Sequence, residues 1–149
     1  MNKIKNTVAV LVVSLFCVST VFAFSAEITG MEGNITYQQK GGSQWSSASV
    51  GTTLTNGDRV KSEAGSWAEI SFSVGHKAKL GANSSMLINN IGEKTSLEMF
   101  KGELMSKVRK LSSAEAYDVK TPQSVCSVKG TQWRVVIRAA QTLVKVLEG

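Results

Sequence analysis

The side chains best suited to chemistry are few. His76 is the single histidine, and Cys126 is the single cysteine after Cys17. A catalytic histidine needs a nucleophile to activate or a carboxylate to orient it. Neither lies near it in Val74-Gly75-His76-Lys77, so a surface position in a hairpin turn is expected. Cys126 shares a strand face with Val128 and is expected to act as a small hydrophobe, buried and inert. One histidine with one such cysteine argues against a zinc site. Asp58 follows Asn56-Gly57 without the further oxygen ligands a calcium loop needs. Its carboxylate is expected to accept hydrogen bonds from turn amides. The glycines form no Gly-Lys-Ser/Thr phosphate loop. The expectation is therefore a non-enzymatic protein without catalytic, cofactor or metal residues.

Charge and aromatic content raise binding chemistries instead. Lys101, Lys107, Arg109 and Lys110 form a basic cluster in a chain of net charge +6. In a cytoplasmic protein this would suggest nucleic acid, but the export signal described next argues against it. An anionic envelope surface is one expectation for the cluster, and a solvated, aggregation-resistant strand edge is the other. Trp45, Trp67 and Trp133 suit either a glycan groove or core packing.

The N-terminus reads as a targeting signal. Lys3 and Lys5 precede an apolar run from Val8 to Ala23, too short for the roughly 20 residues of a membrane span. Val21-Phe22-Ala23 permits cleavage after Ala23. The expected organisation is a signal peptide over 1–23 and one domain over 24–149, periplasmic or secreted, with no stable membrane span after cleavage. Cleavage removes two of the positive charges. It leaves Cys126 without an intrachain partner. Only seven residues precede Val8, so no cytoplasmic domain is expected before the apolar run.

The elements that must position these residues are strands. Most glycines between Gly33 and Gly102 fall six to eleven residues apart, a rhythm of short strands and turns. Ala68, Ile70, Phe72 and Val74 alternate cleanly with polar residues. Further strands are expected at 27–37, 59–61, 77–80, 85–90, 95–100, 117–120 and 142–147. The segment 103–111 fits a strand or a helical turn. Between Thr121 and Arg138 two alternating runs flank Gly130, which predicts a strand, a glycine corner and a second strand. The fold class is all-β.

The order of several short motifs resembles the FecR-like periplasmic domain family. Gly57-Asp58-Arg59-Val60, Ala68-Glu69-Ile70-Ser71-Phe72, Lys101-Gly102-Glu103-Leu104, Thr121-Pro122 and Val128-Lys129-Gly130-Thr131 carry the likeness. It extends over about 28–149. Lys129 stands where the family has arginine, and Val74 where an acidic turn residue is common. The resemblance implies a twisted solenoid-like or sandwich-like stack of short strands. It gives Gly57, Asp58, Thr121, Pro122, Gly130 and Thr131 structural roles. It implies an exported module that binds or signals through another envelope protein; the alternative is a carbohydrate- or envelope-polymer-binding protein. Longer relatives continue past the last strand. Thr142, Val144 and Val146 are therefore expected to border an edge that accepts a strand from an envelope protein or a second copy, unless that strand is internal to its sheet.

Overall fold

The computed structural model describes residues 23–138 and 141–148. The predicted signal segment up to residue 22 lies outside them. Thirteen strands form: β1 (Ala26–Glu32), β2 (Ile35–Gln38), β3 (Ser46–Ser47), β4 (Thr53–Leu54), β5 (Arg59–Ser62), β6 (Trp67–Phe72), β7 (Lys77–Leu80), β8 (Ser85–Asn90), β9 (Lys94–Lys107), β10 (Ala116–Lys120), β11 (Val125–Val128), β12 (Gln132–Arg138) and β13 (Gln141–Glu148). The fold is all-β. The two segments 95–100 and 103–111 merge into the long β9, and the second proves to be strand as far as Lys107.

The strands make one curled sheet with two halves that share β9. One half runs β4-β1-β6-β7-β9-β12-β13 and the other β3-β2-β5-β8-β9-β10-β11. All pairings are antiparallel except β9 with β10. The first part of β9 pairs with β8 and β10, and the part from Gly102 onward pairs with β7 and β12. The chain lays strands down in rungs: β1 with β2, β5 with β6 and β7 with β8 each give one strand to either half. The stack is therefore built rung by rung as in a solenoid, while its two halves enclose one core as in a sandwich.

Alternation drives this arrangement. In β6, Ala68, Ile70 and Phe72 are buried while Trp67, Glu69 and Ser71 are half-buried. Inward residues of both halves, among them Ile28, Ile70, Leu80 and Leu104 from one and Val60, Met86, Ile88 and Leu97 from the other, belong to one cluster. Burial of this apolar surface is the main stabilising force.

Where the rungs pass from one half to the other, small polar residues stack. Ser66 Oγ accepts from the Asn34 amide at 2.9 Å, Ser62 Oγ from the Ser84 amide at 3.0 Å, and Ser84 Oγ from the Glu103 amide at 2.9 Å. These hydroxyls satisfy amides that the bends remove from the strand ladder. Gly102 (φ +91°) marks the changeover within β9, and a β-carbon there would stand 2.6 Å from Ser84 Cα.

Candidate functional site

The two ends of the stack differ. At one end the edge strands β3 and β4 have two residues each, a common way to blunt an edge. At the other end, β13 is eight residues long and, among the described residues, pairs only with β12. Its neighbour across the core, β11, pairs only with β10 among those residues. Among the described residues β13 is therefore an edge strand, with one paired side.

The register decides which side chains sit at this end. Thr142, Val144 and Val146 lie opposite Ile137, Val135 and Trp133, so they share the core-facing side of β12. Cys126 and Val128 lie opposite Val119 and Tyr117, on the core-facing side of the other half. Val135 and Trp133 are buried, but Val144 and Val146 are 42% and 59% exposed because the core ends there. Leu143, on the outer side of β13, is 61% exposed, and Val125 on β11 is 62% exposed. Exposed apolar side chains in this concentration mark an interaction surface more often than an ordinary one.

Thr121 and Pro122 border the same end. Thr121 and Ser124 close a turn, with the Thr121 amide donating to the Ser124 carbonyl at 2.8 Å and the Ser124 amide to Thr121 Oγ1 at 3.0 Å. Pro122 occupies the second position of that turn, where its fixed φ is suited. The Thr121 hydroxyl lies 2.9 Å from that of Thr142, which donates to Gln123 Oε1 at 2.9 Å. Two sets of residues that the sequence treated separately thus meet, and the start of β13 is tied to the β10–β11 turn.

The other signature residues lie elsewhere. Asp58 is buried; its Oδ1 accepts from the Lys40 amide at 2.9 Å and its Oδ2 from the Thr55 amide at 2.8 Å. Gly57 (φ +94°) leaves room for the Lys40 side chain, whose Cδ would be 2.6 Å from a β-carbon. Gly130 (φ +96°) passes so close to the 109–110 backbone that a β-carbon would stand 2.7 Å from Lys110 Cα. The Thr131 carbonyl accepts from the Val108 amide at 3.0 Å.

Three expectations need correction. His76 is not a surface residue but is 2% exposed. It continues the inward parity of Ala78 and Leu80 by one step, a signal present in the alternation. Its ring meets Tyr117 edge-on at 5.1 Å, Tyr117 meets Trp133 edge-on at 6.3 Å, and the Tyr117 hydroxyl lies 3.0 Å from Ser106 Oγ. Burial, reinforced by the Arg109 charge and opposed by Glu115, lowers the His76 pKa and favours the neutral ring. Burial likewise pushes the Tyr117 hydroxyl above its ordinary range, against the effect of the Ser106 hydrogen bond. Cys126 points inward as expected, but it is only half-buried, because it sits where the core opens.

The basic cluster is not an edge: Lys101 and Lys107 lie on β9, which has neighbours on both sides. Arg109 is engaged, donating from Nε to the Val74 carbonyl at 2.7 Å and pairing with Glu115. The tryptophans also part company. Trp133 is fully buried, whereas Trp45 and Trp67 lie on outer faces with Lys61 and Lys79 over their rings.

Among the described residues, no three His, Cys, Asp or Glu side chains gather as a metal site, and no helix is long and apolar enough to cross a membrane. What the geometry offers is an end of a β-stack that no further described strand covers, bordered by Cys126, Val128, Val144 and Val146. No curated protein and no solved structure matches the chain. A family model described as FecR protein matches residues 58–149, from Asp58 through β13 and well over half of the chain, and the protein belongs to the FecR family.

Proposed function

We propose that this protein is an exported, non-enzymatic signalling module that takes up an extended strand from another cell-envelope protein at β13. Membership of the FecR family supports a signalling-related role. The observation that carries the reading is the combination of an eight-residue edge strand with large apolar side chains exposed on both of its faces. A partner strand in β-augmentation would hydrogen-bond to the outer backbone of β13. Alternate side chains of that strand would cover Val144 and Val146 on one face and Leu143 on the other. Stacked repeats need a polar terminal unit to be soluble alone, and an incoming strand would serve as that unit here.

Photo-crosslinking in the producing cells tests this. A benzophenone amino acid is placed at Leu143 or Val146, and at Glu69 on a central strand as control. The expected result is an adduct of discrete mass with a different envelope protein from positions 143 and 146 alone. An adduct of twice the chain mass would identify a second copy as the occupant and replace the envelope partner in this reading. Equal labelling from Glu69, or none from 143 and 146, would remove the reading.

A further inference from the structure

A second surface, distant in sequence from β13, carries a different chemistry. Strands β2, β5 and β8 run side by side, and Gln38, Arg59 and Leu87 lie opposite one another in register. None of the three is buried, so they form one row on the outer face of this half. Asn89 lies two residues along β8 from Leu87 and shares its face. The β2–β3 loop rises beside the row and encloses a cleft of about 500 Å³. That volume falls within the roughly 300–1,000 Å³ of small-ligand sites.

The wall of the cleft is fixed. The Lys40 amide is held by the buried Asp58 carboxylate, and the Lys40 stem packs over Gly57 where any side chain would collide. Asp58 is itself held by Thr55, through the amide at 2.8 Å and the hydroxyl at 3.2 Å. Preorganisation of this kind lowers the ordering cost of binding.

The lining is chemically uniform. Gln38, Gln39 and Asn89 offer amides that both donate and accept, which suits paired hydroxyls. Lys40 and Arg59 add two positive charges, and no carboxylate lines the cleft among the described residues. Two acids stand behind the lining: Asp58, whose carboxylate is taken up by Lys40 and Thr55, and Glu98, which accepts from Asn89 Nδ2 at 3.3 Å and orients that amide. Arg59 lies 5.4 Å from the centre of the Phe100 ring, and Lys61 lies 3.9 Å from that of Trp45. The two rings stand outside the cleft lining, each with a cation over its face. Amides take hydroxyls, and cations take carboxylates. With Leu87 as the single large aliphatic side chain, the cleft does not suit a lipid tail. We propose that it binds an acidic oligosaccharide, a short run of sugars bearing carboxylates.

The test is calorimetric titration of the protein purified from its producing cells with two hexasaccharides. One is a hyaluronan hexamer, which alternates uronate and N-acetyl sugars; the other is chitohexaose, its uncharged counterpart. The hyaluronan hexamer is expected to bind and chitohexaose to bind at least about tenfold more weakly. Arg59→Gln should weaken hyaluronan binding by about tenfold or more, since an interaction with a charged partner is lost. Asn89→Ala should weaken it by a smaller factor. Lys79→Gln makes the same change in net charge on the other half of the sheet and should leave the affinity unaltered. Failure of the hyaluronan hexamer to bind, equal binding of chitohexaose, or equal losses from Lys79→Gln and Arg59→Gln would each overturn the proposal. Circular dichroism of each variant separates loss of binding from loss of fold. Crosslinking at β13 is a separate readout, so failure here leaves the strand-uptake reading standing.

Discussion

Ser84 fills the space that a side chain on Gly102 would need. Its Cα lies 2.6 Å from where a β-carbon at 102 would stand, and its hydroxyl accepts from the amide of the next residue, Glu103, at 2.9 Å. The pair fastens the bend of β9 to the corner between β7 and β8, and so joins the two halves at their shared strand.

Gly102→Ala should therefore cost about 2–3 kcal/mol, combining a positive φ with a backbone collision. Gly41 also has a positive φ (+74°) but faces open space, so Gly41→Ala isolates the conformational part, about 1 kcal/mol. Urea denaturation of the two variants measures the difference. Equal losses would mean that Ser84 yields freely.

His76 sets a pH dependence. Its pKa is lowered in the folded state relative to 6.5, so the unfolded chain binds more protons between the two values. Stability is then fully present above pH 6.5 and declines as pH falls from there towards the folded pKa. His76→Gln should flatten that decline. Glu115, held at about 2 chiefly by its hydrogen bond with Arg109, acts in the same direction but in a lower window, between about pH 4.5 and 2. Thermal melts at intervals from pH 7.5 to 3 separate the two contributions.

Asp58→Ala should destabilise the protein by about 1–3 kcal/mol, because the Lys40 and Thr55 amides lose their acceptor. The loss should also free the 39–44 loop. Limited proteolysis should nick this loop in the variant before it nicks the native protein.

Cys126 reports on the open end. Being half-buried, it should react with a maleimide in the native protein, more slowly than in urea. Occupation of the end by a partner or a second copy should slow the reaction further. A native rate equal to the denatured one would place the thiol outside the mouth of the core.

The sequence displayed most of the fold because alternation is a local property. Ala68, Ile70 and Phe72 announced β6, and Trp133 and Val135 announced β12. The two-residue strands β3 and β4 were hidden, since Ser46-Ser47 and Thr53-Leu54 are too short to show a period. The union of 95–100 with 103–111 was hidden too. Gly102 looks like a break, yet here it bends one strand between two halves. Pairing between distant segments was the least legible layer. Nothing local shows that Thr121 meets Thr142, or that the Gln38 row lies beside a loop pinned by Asp58. At His76 the turn signal of Gly75 masks the parity that the ring shares with the buried Ala78 and Leu80.

The unequal ends of the stack also bear on symmetry. Association through β13 of two copies would use the same patch on both and close as a twofold pair, with nothing left over. Association of β13 with the opposite end of the next copy would be head-to-tail and could extend without limit. The two-residue strands β3 and β4 offer too little backbone to template that contact. If β13 takes up a strand, a stack with one such end and one blunt end would stop after a single addition, which would keep an apolar, edge-exposing protein from growing into a fibre.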